Sequence, residues 1–187
     1  MKNDFLKKLI KQWPEIDRVV SVLPGRGYKH LPKKEEAEEL RQALGGQFKI
    51  LVHRDRDSLT DGEVADLIAS YASEGVGLWL TEQSDLEADF CSPAFISSLT
   101  GESVEQCQQW LSEVLSSKAT PISDKFASQR KSHNQEIYSE GGSPTNDQVW
   151  EMLQTKPFKG ANGKYVYNQL KNKIGQNRFS DQTVLSL

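Results

Sequence analysis

The 187-residue chain has only two cysteines, Cys91 and Cys107. They form neither a disulfide framework nor the paired spacing of a metal site, so reduced thiols in a cytoplasmic protein are expected. The three histidines, His30, His53 and His133, are scattered without ligand spacing, and no metal is assigned to them. No apolar run is long enough to span a bilayer, and no membrane partner is expected. Phe5, Leu6, Leu9 and Ile10 are interleaved with Lys7, Lys8 and Lys11, which fits an amphipathic helix better than a secretory signal. Repeats and low-complexity tracts are absent. Charge of one sign is also absent overall, since the formal net charge is −3. Residues 1–118 carry 14 Lys/Arg against 20 Asp/Glu, a net of −6, and residues 119–187 carry 9 against 6, a net of +3. That small basic bias in the second part suits a polyanionic partner.

What is present is ordinary globular composition, 36% hydrophobic and 26% charged, at a length that fits one domain with or without a helical appendix. A helix is expected from Asn3 to Gln12, ended by Pro14. Arg18 to Leu23 reads as a strand stopped by Pro24-Gly-Arg-Gly27, and Lys33 to Leu44 as a helix with Ala37, Leu40, Ala43 and Leu44 inward. Ile50 to Val52 begins a second strand. Thr60-Asp-Gly-Glu63 is a capping box opening a helix with Val64, Leu67, Ile68, Tyr71 and Ala72 toward the core, closed by Gly75. Val76 to Leu80 is a third strand, and the alternation predicts a parallel α/β sheet. Further helices are expected over Ser103–Ser117, Lys125–Tyr138, from the Thr145-Asn-Asp-Gln148 capping box onward, and over Gly163–Ile174, with a frayed end from Phe179. Trp79, Trp110 and Trp150 read as core.

Three segments carry the candidate chemistry. Asp55 and Asp57 follow the second strand directly, where α/β sheets bind ligands and where two carboxylates suit a hard cation such as Mg2+. Glu87 lies just past the third strand in Thr81-Glu-Gln-Ser-Asp-Leu-Glu87, with Glu82 and Asp85 as competing ligands. Ser84-Asp-Leu-Glu87 is equally a capping box, which would occupy Glu87 with a backbone donor. Lys164 opens the last helix, where its charge beside unpaired N–H groups would suit an anion; the alternative is a solvated lysine.

The run His53-Arg-Asp-Arg-Asp-Ser-Leu-Thr60, then Leu78-Trp-Leu-Thr81, then Ser84-Asp-Leu-Glu-Ala-Asp-Phe90 resembles the Toprim (topoisomerase–primase) domain. Gln129-Arg-Lys-Ser-His-Asn134 and Gly141-Gly-Ser-Pro144 are similar to the helical segment that follows Toprim in ATPase-linked nucleases of the overcoming-lysogenization-defect type. The resemblance implies a Rossmann-like parallel core over residues 1–118 with a helical extension over 119–187. It also implies Mg2+- or Mn2+-dependent phosphodiester cleavage of nucleic acid, DNA in first place, in the setting of phage defence. Asp55, Asp57 and Glu87 would be metal ligands, and Lys164 would face the phosphate. Expected partners are nucleic acid, an ATPase domain of the same full-length chain, and further copies of that protein. The initial Toprim strand ending in Glu-Gly does not precede Asn3 and no Walker A loop occurs, so an N-terminally truncated fragment, inactive or weak alone, is the expectation. Two alternatives stand beside this reading. One is a Toprim-like scaffold that binds nucleic acid or protein without catalysis. The other is a haloacid-dehalogenase-type phosphatase using the Asp55/Asp57 pair, against which Leu59 and the lack of a later Gly-Asp-x-x-x-Asp count. A glycosyltransferase Asp-x-Asp fits less well, since no nucleotide-sugar domain precedes it.

Overall fold

The structure is a computed structural model describing residues 7–8, 10–23, 31–154 and 160–185. Helix α1 is one turn, Pro14–Asp17, followed by α2 (Lys34–Ala43), β1 (Ile50–Arg54), α3 (Asp61–Tyr71) and β2 (Val76–Leu80). Thereafter the chain is helical: α4 (Leu86–Asp89), α5 (Pro93–Thr100), α6 (Val104–Ser117), α7 (Ala119–Ile137), α8 (Asn146–Gln154), α9 (Gly163–Ile174) and α10 (Asp181–Val184). It is a mixed α/β protein, mostly helical, with a two-stranded parallel sheet among the described residues. The expected strand over Arg18–Leu23 does not form. Arg18 and Val19 continue out of α1 as a turn, and Val19 and Leu23 stay exposed, with no neighbouring strand to pair among the described residues. Branched residues favour strands only where a pleated neighbour receives them. Of the expected first helix, residues 7, 8 and 10 are helical and residues 3–6 and 9 lie outside the described residues. That helix has ended before Pro14, as expected, and Pro14 also begins the next helical turn, because its fixed φ suits the first helical position.

The two strands run in register from Ile50 opposite Val76 to Arg54 opposite Leu80, so both end at the same edge. Their inner face (Val52, Val76, Leu78, Leu80) packs with Ala37 and with half-buried Val64, Leu67 and Tyr71. The outer face is open: Leu51 is 64% exposed and Trp79, expected in the core, is 39% exposed with its ring stacked on His53. The period of two puts Trp79 on the face opposite Leu78 and Leu80. On α2 only Ala37 is buried, while Leu40 and Leu44 face solvent. On α3 Ile68 is exposed too, so the inward stripe is narrower than expected. The α3 capping box forms as read, with Thr60 and Glu63 exchanging bonds, whereas the helix closes at Ala72 rather than at Gly75.

The larger core lies among the helices. Ile96, Cys107, Leu111, Val114, Ile122, Val166, Tyr167, Leu170, Ile174, Phe179 and Val184 form one cluster that spans α5 to α10. Residues on both sides of position 118 contribute to it. Helix α5 carries legible signals that the periodicity did not reveal: Ser92 caps it, Pro93 takes its first position and Gly101 closes it at φ +74°. From Phe179 to residue 185 the chain is not frayed. Phe179 is fully buried edge-on against Tyr167, and Asp181 caps the arrangement through Tyr167 Oη and Lys171 Nζ. Aromatic burial of that size outweighs the polar composition of the tail.

Candidate functional site

Past the end of β1 the side chains keep alternating, with an unusual assignment. Arg54 and Arg56 turn inward, at 8% and 3% exposure, and Asp55 and Asp57 turn outward, each half-buried. Buried arginines are tolerated where guanidinium donors meet acceptors. Arg56 donates to the Leu59 carbonyl at 2.8 Å and to Asp61 at 2.6 Å. Arg54 reaches Glu136 at 3.1 Å and His133 Nε2 at 3.5 Å, both on α7. The polar face of α7 thus packs against the strand end.

His133 and two further residues of α7 hold the loop after β1. Arg130, fully buried, makes a two-pronged pair with Glu63 at 2.7 and 2.5 Å and donates to the Ser58 carbonyl. His133 Nδ1 lies 3.0 Å from Ser58 Oγ. Because Arg54 can only donate, His133 Nε2 is the acceptor and Nδ1 carries the proton toward Ser58. Burial first, then the Arg54 and Arg130 charges, lower the His133 pKa to about 4, so the ring is neutral near pH 7. Its 3.9 Å approach to Asp57 Oδ2 is therefore not an ion pair at that pH. Gln129 Nε2 donates to Asp57 Oδ1 at 2.7 Å. Ser58, His133 and Asp57 superficially suggest a nucleophilic triad, but Ser58 and His133 are each 1% exposed and out of a substrate's reach.

Asp57 has φ +53°, and among the described residues it alone of the non-glycines takes a positive φ. Asp tolerates this region better than most residues, and such outliers are over-represented at functional sites. The surroundings determine it: Asp57 N donates to the Ser84 carbonyl at 2.6 Å and Arg56 N to Thr81 Oγ1 at 3.0 Å, which ties the loop after β1 to the loop after β2.

The loop after β2 is tied in turn to α9. Gly163 N donates to Ser84 Oγ at 2.9 Å, Lys164 N to Asp85 Oδ2 at 3.1 Å, and Tyr165 N to Asn162 Oδ1 at 2.9 Å. The expectation of unpaired N–H groups beside Lys164 is thereby overturned: the N-terminus of α9 is capped by protein oxygens. Gly163 is required there, since a Cβ would overlap the Asp85 carboxylate and Ala88. Asp85, 2% exposed, also caps α4 through Ala88 N, so it serves two helix ends and is committed to structure. The Ser84-to-Glu87 capping box does not form. Asp85, one position on, takes the cap, and Ser84 spends its hydroxyl on Gly163. Glu87 sits half-buried in the first turn of α4, Lys164 half-buried at the start of α9, and Glu82 is exposed.

The three expected segments do meet at one sheet edge, through backbone and cap contacts. Asp55 and Asp57 offer two hard oxygen donors at that edge, a set that fits a cation keeping most of its water. Among the described residues no group of three or more His, Cys, Asp and Glu gathers into a fuller cage. Cys91 is no nucleophile: burial, reinforced by the Asp85, Glu87 and Asp89 charges, pushes its thiol well up. Sequence reading missed Gln129, Arg130 and His133 as site residues. Their signals were the resemblance of the Gln129–Asn134 segment, which assigned them no role, and the polar character of α7 at positions where a core-facing helix would be apolar. Among the described residues no helix is long and apolar enough to cross a membrane. Comparison with protein-family models, curated proteins and solved structures finds no match for this chain.

Proposed function

We propose that this chain is a Toprim-like, Rossmann-related part of a nucleic-acid phosphodiesterase, in which Asp55 and Asp57 bind Mg2+ or Mn2+. The observation that carries the reading is the Asp57 carboxylate, held at the carboxyl edge of a parallel sheet, in a left-handed conformation, by a residue 72 positions away. When bound, a divalent cation would polarise a phosphoryl oxygen and lower the pKa of a bound water. The chain's own residues fix the two carboxylates outward, by burying the flanking arginines in the α7 network. Glu87 contributes to a second cation from α4. Lys164 supplies side-chain charge to the phosphate, without help from the α9 backbone. DNA is the favoured substrate, an ATPase domain of the full-length protein the favoured partner, and the cytoplasm of a phage-exposed cell the favoured setting.

The non-catalytic scaffold has one specific observation in its favour: Asp85, the most buried acid of the second loop, is spent on capping. One experiment separates the readings. Mn2+ uptake by calorimetry is measured on the chain and on Asp55→Asn, Asp57→Asn and the double variant, alongside plasmid nicking and turnover of a phosphate monoester. Asn keeps the shape and tolerates the left-handed backbone at position 57, where Ala would add strain. The expected result is weak Mn2+ uptake that the double variant loses, with metal-dependent nicking that falls in parallel. Equal heats in the parent and the double variant would end the cation reading. Uptake without nicking by either this chain or the full-length protein favours the scaffold, and monoester turnover the phosphatase.

A further inference from the structure

We infer that Gln129 is the positioning residue for the Asp57 carboxylate, so that the cation site is assembled only when α7 docks on the sheet. The inference rests on the cation reading above and adds a residue to it from the other end of the chain.

Helix α7 grips the Asp57–Ser58 pair with three successive donors on one side. Gln129 Nε2 takes Asp57 Oδ1 at 2.7 Å, Arg130 takes the Ser58 carbonyl at 3.3 Å, and His133 takes Ser58 Oγ at 3.0 Å. Arg130 and His133 are fully buried and act on Ser58, so they fix the backbone of the loop. Gln129 is only half-buried and acts on the carboxylate itself. An amide suits that task. It donates to one carboxylate oxygen without bringing a positive charge that would compete with a cation, as Lys or Arg would. Ligand carboxylates are commonly oriented by such neutral donors, and removing the donor typically costs about 10–100-fold in metal affinity.

Asp57 is held from outside its own segment at two levels. Its backbone stands at φ +53° with Asp57 N donating to Ser84 O, beside the bond from Arg56 N to Thr81 Oγ1, and its carboxylate accepts from Gln129. Position 129 faces the loop because it lies one helical turn before His133, which meets Ser58, while the Arg130 pair with Glu63 sets the rotation of α7.

The test uses Gln129→Met, which keeps length and helix preference but cannot donate, with exposed Ser128→Ala on the same helix as control. Mn2+ affinity is expected to fall about 10–100-fold in Gln129→Met, with the melting temperature close to that of the parent and Ser128→Ala unchanged in both. A merely structural glutamine would move the melting temperature and leave Mn2+ affinity alone. The contact is read separately, on protein without metal, from the Gln129 side-chain amide resonance. It should lie downfield in the parent and move upfield in Asp57→Gly, a substitution the positive φ accepts. An amide unmoved by Asp57→Gly, or equal Mn2+ affinity in parent and Gln129→Met, refutes the positioning role. Absence of Mn2+ uptake by the parent, with the amide shift intact, refutes the cation reading instead and leaves Gln129 a structural tie.

Discussion

The helical cluster and the sheet edge are both excluded from water, by opposite chemistry. Around Leu170 and Val166 the interior is aliphatic and aromatic, contributed by helices α5 to α10. At the sheet edge it consists of Arg54, Arg56, Ser58, Glu63, Arg130 and His133, all buried. The apolar region gains from area removed from water, a non-directional term that tolerates small shifts. The polar region gains only if donors and acceptors meet at bonding distance, and it loses heavily when one partner is missing. The charged interior there fixes the loop that carries Asp55 and Asp57.

The largest expected effect comes from breaking the polar region at its centre. Arg130→Met leaves the Glu63 carboxylate buried and without its two-pronged partner, which should destabilise the chain by about 3–5 kcal/mol. Replacing both, with Glu63→Leu and Arg130→Met together, should recover most of that loss. Urea unfolding of the two single variants and the double variant measures the difference. A double variant as unstable as the sum of the singles would mean that the pair is not coupled as its 2.5 and 2.7 Å distances imply.

Next comes the apolar region. Leu170→Ala removes a fully buried side chain facing α6 and should cost about 2–5 kcal/mol, depending on how far the cluster closes over the cavity. No partner substitution should rescue it, in contrast to the polar pair. The loss should also be the same at pH 7 and pH 4, since the residues around Leu170 do not titrate there.

The smallest effect sharpens the contrast through pH. Burial raises the Glu63 pKa, but bonds from Arg130, the Thr60 backbone and Tyr138 outweigh it and hold the group at about 2. Stability from Glu63 is therefore complete above about pH 4.5 and is lost as pH falls toward 2. His133, held at about 4 against an ordinary 6.5, takes up its proton later in the folded protein than in the unfolded chain. Its contribution is lost as pH falls from about 6.5 to 4, so the two windows adjoin and have the same sign. Each group changes stability by at most about 1.4 kcal/mol per pH unit. Chemical denaturation across pH 3–7 should show stability falling on acidification, with His133→Gln flattening the upper window only. A profile that is flat between pH 6.5 and 4 in the parent would contradict the burial of a neutral His133.

Much of the architecture was legible because it depends on local rules. The Thr60 and Thr145 capping boxes, the bounds of α9 and the strands from Ile50 and Val76 all follow from side chains within a few residues of one another. The site was legible in outline, since parallel strands in register bring Asp55, Asp57 and the Glu87 segment to one edge. Its inner half was not. Glu63 satisfies the capping box and also holds Arg130, and a sequence motif reports only the first role. Ser84 and Asp85 are both residues that cap helices, and only the position of Gly163 decides which of them does so and which reaches across to α9.

By itself, then, the sequence determined the local elements and the acidic strand end, because helix periods, caps and strand alternation are short-range properties of the chain. Only the tertiary structure decided that Arg54 and Arg56 turn inward, that Trp79 faces out, that Arg18–Leu23 forms no strand, and that Gln129 meets Asp57. Each of these depends on a partner tens of residues away, and whether a polar group can be buried is settled by the donor or acceptor it finds there.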